Sequence, residues 1–128
     1  MIMTTTELKK AIKNLVESKY MNKVVKFDDD WAFRVKGFKI RERKNAIPRY
    51  EFEDYGVDED TQVFVIVEFW DKANEMDATD AACVFFTLNS KGQVGTADVP
   101  FDFEVQGANA DLSLKMCDEM FNRDKRQK

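Results

Sequence analysis

The chain contains no histidine. That single absence removes the usual general base near neutral pH and the usual zinc ligand together. Ser-His-Asp and Cys-His nucleophilic arrangements are excluded, as are HExxH metalloproteases. Cysteine is scarce too, with only Cys83 and Cys117. Cys83 lies in an apolar, strand-like run and Cys117 in a helix-like run. Neither sits in a C-x-x-C or helix-start context, which would favour thiolate. Both are expected as buried thiols in a reducing, cytoplasmic setting. Glycine is also sparse. The spacing of Gly92, Gly95 and Gly107 matches neither G-x-G-x-x-G nor a P-loop. No apolar run approaches the ~18 residues of a membrane span. The start, Met1-Ile2-Met3-Thr4, has neither the charged nor the apolar region of a secretory leader.

What remains is ordinary material for a folded domain. The 128 residues fit one α+β domain spanning 1–128. Hydrophobic residues make up 44% and charged residues 34%, so a packed core is expected over disorder. Eleven phenylalanines supply much of that core, because Phe has no polar group to satisfy. The formal charge of −4 weighs against nonspecific nucleic-acid binding and suits a basic partner.

Local patterns give an order of elements. Thr4-Thr5-Thr6-Glu7 has capping-box spacing, and Met3 with Leu8 fits a hydrophobic staple. Leu8, Ala11, Ile12, Leu15, Val16 and Tyr20 recur at helical spacing, which predicts a helix from about Thr5 to about Tyr20. Strands follow at Lys23 to Phe27 and from Trp31 onward. The apolar parity of Trp31, Phe33 and Val35 flips at Phe38 and Ile40. A β-bulge at Lys36-Gly37 would restore one buried face. Ile40 opposite Phe52 would set Arg41 against Glu51 and Lys39 against Glu53, a self-consistent hairpin. Val63 to Trp70 and Cys83 to Leu88 are apolar on both faces and are predicted central strands. Asn89-Ser90-Lys91-Gly92 predicts a type I turn with left-handed Gly92. Val94 to Val99 and Phe101 to Val105 complete the strands. Asn109 or Asp111 would cap a final helix bearing Leu112, Met116, Cys117, Met120 and Phe121. The expectation is a helix, an antiparallel meander of six to seven strands, and a C-terminal helix.

No complete catalytic or cofactor signature is present, so a non-enzymatic protein is expected, with no cofactor and no metal. Three functional readings compete. In the leading one, two short helices leave part of the doubly apolar sheet bare. The chain then docks on another protein, or on a second copy, through Phe64, Trp70 and Phe85, rimmed by Asp71, Glu75 and Asp77. An inhibitor or accessory factor from a bacterium or phage, acting on a basic or nucleic-acid-binding partner, fits that picture. In the second, the sheet curls around a pocket for a small apolar ligand. In the third, Arg34, Lys36, Lys39, Arg41 and Arg43 form a basic strand face for nucleic acid. The aromatic residues between those cations alternate inward, which favours a solvated outer face over a stacking platform.

Overall fold

A computed structural model describes residues 2–28, 31–72, 81–97 and 110–122. The elements form as α+β, with a helix at each end of the described chain. Helix α1 spans Thr5–Leu15 and opens with the expected capping box. The Glu7 N–H donates to Thr4 Oγ1 at 3.1 Å, and the Thr4 N–H donates to Glu7 Oε1 at 2.9 Å. These two bonds satisfy donors that a helix start otherwise leaves unmade. They also hold the Glu7 carboxyl below its ordinary value. Leu8, Ile12 and Leu15 form the buried stripe, and Met3 packs on the core that Leu8 joins. The helix continues to Tyr20 as the spacing predicts, but its last turn, Val16–Tyr20, is a wider π turn.

The strands divide between two sheets instead of forming one meander. Strands β1 (Val24–Asp28) and β2 (Trp31–Arg34) make an antiparallel hairpin of their own. Strands β3 (Gly37–Arg43), β4 (Thr61–Trp70), β5 (Ala81–Asn89) and β6 (Val94–Thr96) pair in chain order as an antiparallel four-stranded sheet. Helix α2, Ala110–Cys117, follows and ends in a second π turn, Asp118–Asn122. Asp111 therefore lies inside α2 and does not cap it. The expected strand at Phe101 to Val105 and the cap at Asn109 fall outside the described residues.

Two local expectations are corrected. The parity flip near Gly37 is a break between sheets, not a bulge in one strand. Lys36 N–H donates to Trp70 O at 2.8 Å as the chain enters β3. Gly37 is required there because the Trp70 indole occupies the space a Cβ would take. A Cβ on Gly37 would come within 2.2 Å of Trp70 Nε1. The hairpin of Ile40 with Phe52 also does not form. Strand β3 pairs with β4, Ile40 opposite Val67, and the segment from Arg49 to Tyr55 makes two short 3-10 turns. Arg41 accordingly pairs with Glu68, not Glu51. Neighbouring β4 offers Ile40 a longer apolar partner than Phe52 could, so burial overrides the charge match.

Period-two alternation sorts the central strands into two cores. On one side Val63, Val65, Val67 and Phe69 of β4 join Ala82, Val84, Phe86 and Leu88 of β5. Both helices and the β1–β2 hairpin cover this side, through Ile12, Val16, Phe27, Leu112 and Met116 among others. Phe27 and Tyr20 pack on Phe69 with ring centroids 5.6 and 6.5 Å away. On the other side Phe64, Ile66, Cys83, Phe85 and Ala97 are covered by Ile47, Phe52 and Val57 from the segment between β3 and β4. The Asn89–Gly92 turn forms as expected, with Gly92 at φ 76° and its N–H donating to Asn89 O at 3.0 Å. Met3 N–H donates to Gly92 O at 2.8 Å, tying the start of α1 to this turn.

Replacing Gly37 with alanine drives a methyl group into the Trp70 ring. The expected loss is about 1–3 kcal/mol, the usual cost of overpacking. Urea unfolding should show a lower midpoint at unchanged slope.

Candidate binding cleft

The π turn that closes α1 leads directly into a type II turn. Met21 has φ −62° and ψ 133°, Asn22 has φ 63°, and Lys23 N–H donates back to Tyr20 O at 3.2 Å. Asparagine tolerates the left-handed position that this turn demands. The turn swings the chain from α1 into β1. Val35 then accepts from Asn22 N–H at 2.8 Å and donates to Lys23 O at 3.0 Å. Lys19, Tyr20 and Lys23 thereby line the same hollow as the residues of β1.

Helix α2 closes the opposite wall. Tyr20 OH donates to Glu119 Oε1 at 2.5 Å, and Lys19 Nζ lies 3.3 Å from Glu119 Oε2. Glu119 belongs to the π turn after α2, so one carboxylate ties the ends of both helices together. Burial, aided by the Glu119 charge, raises the Tyr20 phenol above its ordinary value.

Between these walls lies a cleft of about 550 Å³. Two other clefts on the described residues measure about 360 and 320 Å³. Its floor is apolar: Tyr20, Val25, Phe27 and Leu112 are buried. Its rim is basic: Lys19, Lys23, Lys26 and Lys115 line it, against Asp111 alone among the lining acids. In a chain of net charge −4, four cations around one hollow are a local reversal of sign. Val24 stands in the same cleft with 61% of its surface exposed.

The residues singled out from sequence fall elsewhere. Phe64, Phe85 and Trp70 are 0%, 2% and 7% exposed. They are not a docking face, because the segment bearing Ile47, Phe52 and Val57 seals Phe64 and Phe85, and Gly37 receives Trp70. Asp71 is half-buried beside Trp70, while Glu75 and Asp77 lie outside the described residues. The basic strand residues are largely engaged within the fold. Arg34 donates to Asn22 O at 2.6 Å, and Arg41 binds Glu68. Lys39 and Arg43 also have partners, and Lys36 is exposed. The acidic turn is likewise structural. Asp58 accepts from Asp60 N–H at 2.9 Å and from Asn89 Nδ2 at 3.1 Å, and Ser90 donates to Asp60.

The lysine cleft was missed because its members are distant in sequence. One signal was available: no acid interrupts the chain between Glu17 and Asp28, while Lys19, Lys23 and Lys26 occur there. That Lys115 faces the same hollow has no local signature.

No protein-family model, no curated protein and no solved structure matches this chain. No helix among the described residues is long and apolar enough to cross a membrane.

Burial pushes the Cys83 thiol up to about 12 and the Cys117 thiol up to about 11, from an unfolded value of 9.0. Tyr20 shifts in the same direction from 10.0. All three are neutral when protonated, so the fold holds their protons more tightly than the unfolded chain does. Their contribution to stability is complete below pH 9 and is lost as pH rises from there toward 11 and 12. The urea midpoint should therefore fall above pH 9, and fall less in Tyr20→Phe. A titration of the midpoint in both proteins checks this.

Proposed function

We propose that the protein is a small, non-enzymatic binding module that takes an acidic segment of another protein in the lysine-rimmed cleft. The carrying observation is the cluster of Lys19, Lys23, Lys26 and Lys115 around an apolar floor in a chain that is acidic as a whole. Charge complementarity favours an acidic occupant, since four lysines line the cleft against Asp111, with Lys19 also held by Glu119. Buried Phe27 and Leu112 beneath the rim favour a segment that also carries apolar side chains. Exposed Val24 adds apolar contact at the level of the rim.

This reading replaces docking through the sheet faces, whose aromatic residues are consumed by the fold itself. It keeps the protein-binding role and changes the sign of the partner. The two thiols are unpaired, which suits a cytoplasmic, reducing compartment.

The probe is a fluorescein-labelled decapeptide of alternating Val and Glu, followed by anisotropy. A peptide of alternating Val and Lys serves as control. The acidic peptide should bind and the basic one should not. Lys23→Glu combined with Lys115→Glu should weaken binding about tenfold, or ~1.4 kcal/mol. Higher salt should weaken the unmodified protein in the same direction. Equal binding of both peptides, or indifference to the double reversal with circular dichroism unchanged, sinks the proposal.

A further inference from the structure

We propose that a second hollow, on the face of the sheet opposite the helices, binds a small ligand through a primary ammonium group. Asp58, Thr61 and Thr87 line this hollow and supply the acceptors. It shares no residue with the lysine-rimmed cleft, so it stands or falls apart from the function proposed above.

The hollow measures about 360 Å³, and the register of β4 and β5 explains its place. Phe64 pairs with Thr87, so the two share a face. Asn89, two residues on, shares it too. Counting back from Val63 opposite Leu88, regular pairing would set Gln62 opposite Asn89. A bulge sets Thr61 there instead. The irregularity thus brings a short hydroxyl side chain to the face that carries Phe64 and Phe85. The apolar cover of that face runs through Ile47, Phe52 and Val57, and Asp58 follows directly. Where this cover stops, the face changes from phenylalanine to Thr61, Thr87 and Asn89.

One atom there calls for a partner. Thr61 is 3% exposed, and its Oγ1 is buried with no hydrogen-bond partner among the described residues. A valine of nearly the same shape would carry no polar atom to satisfy, so the retained hydroxyl points to a bound group. Thr87 is also buried, and its Oγ1 leans over Gly95, 2.7 Å from where a Cβ would stand. Glycine within a strand permits that close approach. Asp58 is fixed beside the hydroxyls. Thr61 N–H donates to Asp58 O at 3.0 Å, while the Asp58 carboxylate accepts from Asp60 N–H and Asn89 Nδ2 at 2.9 and 3.1 Å. These bonds hold the carboxyl below its ordinary value, with Lys91 adding to the effect from outside the hollow. A carboxylate offers roughly four acceptor sites, so it can take further donors. An ammonium group has three donors and no acceptor, which suits two hydroxyls and a carboxylate. Its charge also opposes that of Asp58, the charged residue among those lining the hollow. An anionic ligand would meet repulsion there.

The test is a nuclear magnetic resonance titration of amide signals in the intact protein, at neutral pH and fixed ionic strength. The probe is ethanolamine. Ethylene glycol is the control, of the same size with a hydroxyl in place of the ammonium. Ethanolamine should shift the Thr61, Thr87 and Gly95 amides saturably, and ethylene glycol should bind at least about tenfold more weakly. Thr61→Val and Asp58→Asn should each weaken ethanolamine about tenfold. Asp58→Asn also disturbs the turn, so Thr61→Val, which removes no hydrogen bond of the fold, is the deciding variant. Its urea midpoint should equal or exceed that of the parent, which separates lost binding from lost folding. Equal binding of the two probes overturns the ammonium assignment. Unchanged ethanolamine binding in Thr61→Val overturns the role of the buried hydroxyl. No saturable shift at these three amides overturns the site.

Discussion

The structure depends on one constraint: β4 and β5 are apolar on both faces, so the sheet must be covered twice. Phe64, Val65, Ile66 and Val67 are each at most 2% exposed, as are Cys83 to Phe86. At about 25 cal/mol per Å² of apolar surface, leaving either face bare would forfeit several kcal/mol. The two helices could not meet this need by taking one side each, because Met116 and Ile12 lie in the same core. The second side is instead sealed by the segment between β3 and β4, which abandons strand geometry to do so. Tyr50 is left 84% exposed while Phe52 is buried against Phe64, with ring centroids 5.9 Å apart.

Among the described residues, the apolar side chains of β4 and β5 are buried within the fold. What remains are the seams between covering elements. One such seam lies where α1 ends, β1 begins and α2 returns. Two π turns widen the helix ends there, and the Glu119 carboxylate links them through Tyr20 and Lys19. Such irregular turns often accompany functional positions, because they re-aim side chains that a regular helix would direct elsewhere. The apolar floor of the seam is an outcrop of the same core that holds the sheet.

Some features were legible from short stretches. The capping box at Thr4 and Glu7 and the turn at Asn89 to Gly92 depend on residues within four positions of each other, and both form as read. The two central strands were visible as runs apolar on both faces, interrupted only by Glu68 and Thr87. The Gly37 parity flip was also visible, but its cause was not: the indole of Trp70 lies against it from across the sheet. The hairpin assigned to Ile40 and Phe52 failed for a related reason. Its apolar and charged registers agreed, yet agreement cannot rank it against a distant strand. Strand β4 matched β3 over its whole length and supplied Glu68 for Arg41.

The sequence by itself determined α1 with its capping box, the central strands, the Asn89–Gly92 turn, the doubly apolar centre, and the exclusion of histidine chemistry. These follow from backbone geometry and side-chain period, which act between near neighbours. Only the tertiary structure decided that both helices share one side, that Phe64, Phe85 and Trp70 are spent on packing, and that Lys115 stands over the same hollow as Lys23. Contacts such as Tyr20 with Glu119 join residues 99 positions apart. They exist because burying two faces of one sheet brings those positions together, and no local pattern encodes that closure.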